Sequence, residues 1–149
     1  MEYYDPDSLH DIFLEVIRFH YCRTHKLLEG IGVYPGQPPM LLELEREGGQ
    51  SQSELAKKLN IKPATVTVMI NRMEKVGLLE RRQDLNDQRV SRVYLTHKGR
   101  DMCKELEKIK EKIDLECLAN FTVEEQVLLR RLLMQVRDNL ERACEIDKQ

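Results

Sequence analysis

Residues 51–99, SQSELAKKLNIKPATVTVMINRMEKVGLLERRQDLNDQRVSRVYLTHKG, constrain the fold most, because helix starts, helix stops and strand signals follow one another there at fixed spacing. Ser51 with Glu54 three residues later is a capping box, in which the hydroxyl accepts from the helix start while the carboxylate reaches back. Leu55, Ala56 and Leu59 form the apolar stripe of the short helix that begins there. Asn60-Ile61-Lys62 predicts a tight turn, and Pro63 suits the first position of a second helix, where its missing N–H costs nothing. Val66, Ile70 and Met73 recur at i, i+4 and i+7 as the buried stripe of that helix. Gly77 ends it as a left-handed cap would. Residues 78–82 and 90–95 then read as two strands of a hairpin, joined by the turn formers Asp84-Leu85-Asn86-Asp87-Gln88-Arg89.

The outer face of the second helix carries Thr65, Thr67, Val68, Asn71 and Arg72, and no acid precedes Glu74. Such a face can approach phosphates and base edges without repulsion, as entry into a major groove demands. Arg81, Arg82, Arg89 and Arg92 crowd a small hairpin, and an arginine at its tip can enter a narrow minor groove, where negative potential is focused. Between residues 51 and 100, eleven Lys or Arg stand against five acids, or +6; the whole chain is −2, so the remainder carries −8. A basic module within an acidic chain implies a local phosphate partner rather than general stickiness toward nucleic acid.

On these residues the chain resembles the MarR family of winged helix-turn-helix transcriptional regulators. The resemblance rests on QSELAKKLNIKPATVTVMINRMEKVGLLERR, on Asp87-Gln88-Arg89 in the wing, and on Leu95-Thr96-His97-Lys98-Gly99, and it extends over nearly the whole chain. It implies a mainly α fold with a small β-wing: one domain over 1–149, with a winged helix-turn-helix DNA-binding lobe at 37–95 and helical dimerisation regions at 8–30 and 96–147. Asp87 is then the acid that orients a neighbouring arginine, Arg89 the wing-tip minor-groove residue, and Arg72 a recognition-helix residue near the DNA backbone. The full DNA-contacting set expected is Ser51, Gln52, Ser53, Lys62, Ala64, Thr65, Thr67, Val68, Asn71, Arg72, Arg81, Asp87, Arg89 and Arg92. Two positions depart from the family pattern: Lys62 replaces the usual small capping residue, and Val68 stands where many members have Arg or a polar residue.

The ends of the chain look built for a partner. Ser8-Leu9-His10-Asp11 starts a helix with apolar positions Leu9, Ile12, Phe13, Val16, Ile17 and His20. A third long helix, about 96–118, has Met102, Leu106, Ile109 and Ile113 as its stripe. Thr122 and Glu125 form a second capping box, followed by Leu129, Leu133, Val136, Leu140 and Ala143 at heptad spacing. These helices carry more apolar surface than the small module can cover, which predicts a two-fold homodimer. Its recognition helices would lie about 34–36 Å apart, in successive major grooves of a near-palindromic double-stranded site.

Residues 30–39 are strongly loop-like, and Pro38 and Pro39 suit the first turn of a helix continuing through Met40-Leu41-Leu42-Glu43-Leu44. The resemblance places a small-molecule effector, aromatic or lipophilic, in the crevice nearby, with Phe19, His20, Arg23, Tyr34 and Met40 as candidate lining residues; ordinary packing accounts for the same residues equally well. Cys22 and His25 share a helix face with Glu29 one turn on, a sparse ligand set that leaves a metal- or oxidant-responsive regulator as an alternative. Against it, the reactive cysteine of the peroxide-sensing branch lies near the start of the first helix, closer to His10 than to Cys22. Cys103, Cys117 and Cys144 fall in or beside apolar stripes, and four cysteines without a spaced framework fit a reducing compartment.

No phosphate-binding glycine loop, nucleophile elbow or His-Glu-x-x-His occurs, so no catalytic role, cofactor or bound metal is expected. The acidic start MEYYDPDS has neither the basic nor the apolar part of a signal peptide, and no run is long enough for a membrane span, which predicts a cytoplasmic protein. A winged-helix module that binds protein instead of DNA is the remaining alternative.

Overall fold

The computed structural model of the protein describes residue 5 and residues 7–146. Most of the acidic start and the last residue of the expected 96–147 helical region lie outside them. The elements run α1 (Leu9–Glu29), α2 (Pro38–Arg46), β1 (Gln50–Ser51), α3 (Gln52–Leu59), α4 (Pro63–Lys75), β2 (Leu79–Gln83), β3 (Ser91–Leu95), α5 (His97–Cys117) and α6 (Val123–Ile146). They form two compact units, 1–113 and 114–149. No described helix is long and apolar enough to cross a membrane.

In the first unit, the helix boundaries follow local chemistry. The Ser51 capping box is complete: the Glu54 N–H donates to Ser51 Oγ at 3.2 Å, and the Ser51 N–H to Glu54 Oε2 at 2.7 Å. α3 stops at Asn60, which takes the left-handed conformation (φ 52°) that asparagine tolerates better than most residues. Pro63 then begins α4, and Gly77 at φ 80° turns the chain out of it.

The wing is a three-stranded antiparallel sheet in the order β1-β3-β2, with Leu79 opposite Leu95 and Arg81 opposite Val93. Its hairpin strands fall within a residue of the expected ones. The third strand was not expected: two residues are too few for any period to show. Gly49 admits β1 to the sheet by donating to the Val93 carbonyl at 2.9 Å. Its φ is 76°, and a Cβ there would lie 2.8 Å from the Tyr94 hydroxyl, so glycine is required on both counts.

The core sits in this lobe. Met40, Leu41 and Leu44 of α2, Leu55 of α3, Val66, Ile70 and Met73 of α4, Leu79, Val93 and Leu95 of the sheet, and Cys103 and Leu106 of α5 form one buried cluster. Burial, with the Glu45 carboxylate adding to it, pushes the Cys103 thiol up to about 11. Leu95-Thr96-His97-Lys98-Gly99 docks α5 onto the corner after α4. Thr96 Oγ1 donates to the Gly77 carbonyl at 2.6 Å and accepts the Gly99 N–H at 3.0 Å, while Lys98 Nζ donates to the Val76 carbonyl at 2.7 Å. Gly99 lies so close to this corner that a Cβ would stand 2.1 Å from the Leu78 carbonyl oxygen.

The wing turn is tied by Asp84, whose Oδ1 accepts the Asn86 N–H at 2.7 Å and the Asp87 N–H at 3.0 Å, and whose Oδ2 pairs with Arg92. The Arg92 guanidinium first, then these two N–H groups, lower the Asp84 carboxyl to about 2.

α1 begins as expected, with Ser8 Oγ accepting the Asp11 N–H. Its expected stripe, however, is not covered: Leu9, Ile12, Val16 and Ile17 stay exposed, and only Leu28 near its end is buried. In the second unit, the Thr122 and Glu125 box starts α6 as expected, with backbone N–H distances of 2.9 and 3.2 Å. Val127, Leu128, Leu132, Leu133, Val136 and Leu140 remain exposed along it.

Gly99→Ala should destabilise the lobe by about 1–3 kcal/mol, since the atom it meets is backbone and cannot turn aside. The urea midpoint measures this, and an unchanged midpoint would mean that α5 lifts without cost. A carboxyl whose folded pKa is depressed contributes stability that is present above its unfolded value, roughly 3.9, and lost as pH falls through the folded one. Wild type should therefore lose more stability between about pH 4 and pH 2 than Asp84→Asn does; parallel curves would remove Asp84 from that role.

Candidate nucleic-acid interface

The outer face of α4 has the predicted composition. Ala64, Thr65, Asn71 and Arg72 are exposed, Val68 is 48% exposed, and Thr67 is half-buried. Lys62 occupies the N-cap without a side-chain cap bond, and the first turn holds no acid. The positive end of the helix dipole is thus left for an anion from outside. Thr67 Oγ1 lies 3.1 Å from both Gln52 Oε1 and the Pro63 carbonyl, so its single proton is shared within the lobe. Ser51 is occupied by its capping box, with its Oγ 3.2 Å from that of exposed Ser53. Ser51 N–H and hydroxyl, with Arg92 and Lys58 assisting, hold the Glu54 carboxyl below its ordinary value.

The four wing arginines have different surroundings. Arg81 pairs with Glu74 and donates to Asn71 Oδ1 at 2.6 Å, so it braces the last turns of α4. Arg82 pairs with Glu80 and lies over the Tyr94 ring, 4.6 Å from its centroid. Arg92 pairs with Asp84, donates to the Gly49 carbonyl at 2.9 Å and stands 3.5 Å from Glu54, which makes it a strut between β3, the wing turn and the start of α3. Its partner Asp84 raises its pKa further. Arg89 alone among the four projects almost entirely into solvent, 91% exposed, while Asp87 Oδ1 accepts its backbone N–H at 3.0 Å and its Nε at 3.2 Å. Leu85, in the same turn, is fully exposed.

The five candidate effector residues are not brought together. A groove of about 450 Å³ opens beside α1, lined by Val16, Ile17, His20, Tyr21, Thr24, Leu28, Pro35 and Pro38. Of the five, only His20 lines it. Phe19 and Arg23, a turn apart, point from another face of α1, Phe19 lying under the Arg18 guanidinium at 4.6 Å. Tyr34 is exposed, and Met40 is a fully buried core residue. Thr24 Oγ1 is buried against the groove with no hydrogen-bond partner among the described residues. Cys22 is exposed, and His25 Nδ1 lies 3.2 Å from Glu29 Oε1. Among the described residues, no group of three or more His, Cys, Asp or Glu could hold a metal ion.

Sequence reasoning missed two glutamines. Gln50 is buried in β1 and donates to the Glu47 carbonyl at 2.6 Å and to Glu43 Oε1 at 3.2 Å, which fixes the approach to α3. Gln37 is buried before α2, and its Oε1 accepts the Tyr34 N–H at 3.0 Å. A polar residue directly ahead of Pro38-Pro39 was the available signal for the second; Gln50 has none beyond its neighbouring glycines.

Comparison with known proteins gives the same picture. Residues 34–91 match the model of the MarR family. The chain is 40% identical over 90 residues to YdgJ, an HTH-type transcriptional regulator of Bacillus subtilis (strain 168), covering 60% of this chain and 55% of that one. It is 36% identical over 72 residues to the HTH-type transcriptional repressor MdtR of the same organism, covering 48% and 46%. The chain thus spans about half the length of the curated relatives it matches. Among solved structures, YusO from B. subtilis superposes with a TM-score of 0.77 at 26% identity, over 87% of this chain and 94% of that one. A MepR variant of S. aureus bound to an oligodeoxyribonucleotide has a TM-score of 0.69 at 20% identity, over 89% and 98%. The curated relatives are named as transcriptional regulators, and over residues 34–91 the chain is similar to the MarR family, with the fold of the winged helix-turn-helix structures it superposes on.

Proposed function

We propose that the protein is a cytoplasmic, sequence-specific regulator of transcription that binds double-stranded DNA as a homodimer, most simply as a repressor. The observation that carries the reading is the exposed, acid-free face of α4 beside a wing whose Arg89 projects into solvent, on a segment of charge +6. α4 would enter the major groove and Arg89 the flanking minor groove, while Lys62 and the uncapped start of α4 meet phosphate. That MepR is held on an oligodeoxyribonucleotide and that MdtR bears the name repressor support DNA binding and repression here.

The homodimer is supported by the apolar residues left exposed on α1 and, separately, on α6. Apolar stripes of this length are a mark of partner surfaces rather than of a solvated monomer. Two copies would present two copies of α4 to a near-palindromic site. Release by a small effector would follow from linkage, in which a ligand preferring the lobe spacing that fits DNA poorly draws the dimer toward it. The groove beside α1 suits such a ligand, being lined mostly by apolar side chains with His20 and Tyr21 among them. This favours a lipophilic or aromatic compound, and the exposed Cys22 with His25 already facing Glu29 gives less support to metal or oxidant sensing.

Fluorescence anisotropy against the DNA upstream of the protein's own gene, at two salt concentrations and with random competitor, tests the reading. Tight, competitor-resistant binding that weakens steeply with salt is expected, and salt-insensitive binding to a protein partner instead would favour the interaction module. Arg89→Ala should lower affinity about tenfold while leaving the dimer intact, within the range that one groove-inserted contact supplies; unchanged affinity would take the minor-groove role from Arg89. Leu133→Glu places a charge on the exposed α6 stripe and should sediment as monomer, so a variant that remains dimeric would move the dimer seam elsewhere.

A further inference from the structure

We propose that α4 reads thymine C5 methyl groups, with Val68 as the reader, so that the base pairs beneath its first two turns are A·T. This rests on the DNA-binding reading above and specifies what that surface recognises.

The argument is one of supply. Direct readout of guanine takes an Arg or Lys donating to O6 and N7, cytosine takes a carboxylate accepting from N4, and adenine takes an Asn or Gln bonding N6 and N7 together. From Pro63 to Ile70, α4 offers none of these side chains. Its first carboxylate, Glu74, is bound by Arg81, and that salt bridge occupies the guanidinium as well. Asn71 is the one amide on the face, but its Oδ1 already accepts from Arg81 at 2.6 Å, which removes half of the pattern adenine would need. Thr67 shares its hydroxyl proton between Gln52 and Pro63.

Over the first two turns, which end before Arg72, what remains exposed is apolar or short. Val68 stands 48% exposed, with exposed Ala64 and Thr65 one turn before it on α4. In the major groove the thymine methyl is the apolar feature distinguishing one base from the others, and Ala, Thr methyls and similar groups are its known partners. An isopropyl group held on a rigid helix has that methyl as its matching contact.

The test uses the full chain. Sites are first selected from a random duplex pool; each thymine of the selected site is then replaced in turn by deoxyuridine, which pairs identically and lacks only the C5 methyl. The expected result is A·T pairs at the centre of each half-site and, at one or two of them, an affinity loss of about fourfold per methyl removed, the worth of one buried methyl group. Val68→Ala, a change on an exposed helical surface that leaves the fold intact and draws the apolar contact back, should show a smaller uracil penalty at those positions than the wild type. Equal wild-type affinity for both versions at every position would overturn the proposal, as would G·C pairs at the half-site centres, and an undiminished uracil penalty in Val68→Ala would take the role from Val68. Failure to enrich any sequence over the random pool would instead overturn the DNA-binding reading itself.

Discussion

The Arg92 guanidinium ties together three parts of the lobe. From near the start of β3 it donates to the Gly49 carbonyl ahead of β1, pairs with Asp84 at the base of the wing turn, and faces Glu54 in the first turn of α3. A two-stranded hairpin alone is marginal in water, and this one projects from the lobe. Arg82 stands directly opposite Arg92 in the ladder, a repulsive cross-strand pairing that becomes tolerable because Glu80 and Asp84 take one guanidinium each. The direction of the wing, and hence of Arg89, depends on a cation directed inward.

Counting cations along the sequence therefore overstates what the surface offers outside. Arg81 and Arg92 add to the charge of the segment, yet each is bound to a carboxylate and to a second acceptor within the lobe. They contribute to the long-range field, which depends on net charge, more than to short-range contact, which needs free donors. Side chains such as Arg89, Lys62 and Val68 are left to meet a partner at close range, and they differ in chemistry from one another.

The helical framework was legible because its signals are local. Ser51 with Glu54, Pro63, Gly77, Pro38 and Thr122 with Glu125 act within a turn of chain, and each element began or ended where they stand. What stayed hidden depends on contacts distant in sequence. β1 is two residues long and exists because Gly49 meets Val93; the bracing role of Arg92 spans 43 positions to Gly49. The groove beside α1 falls between these cases. Ile17, His20, Tyr21, Thr24 and Leu28 share one helix face by their spacing, and Phe19 and Arg23 lie off it, so part of the lining could have been derived from periodicity. Met40 could not, since only the packed core shows which side of α2 is inward.

Cys103 gives the lobe a chemical property apart from its packing value. Thiol reactivity belongs to the thiolate, and burial, which pushes the Cys103 thiol up to about 11, keeps it protonated at neutral pH while its side chain is fully enclosed. Cys22, Cys117 and Cys144 are exposed on the single chain. An electrophile or peroxide that meets the chain would thus react at these three, on α1, α5 and α6. The winged lobe, whose core encloses Cys103 completely, is insulated from such chemistry by its own folding.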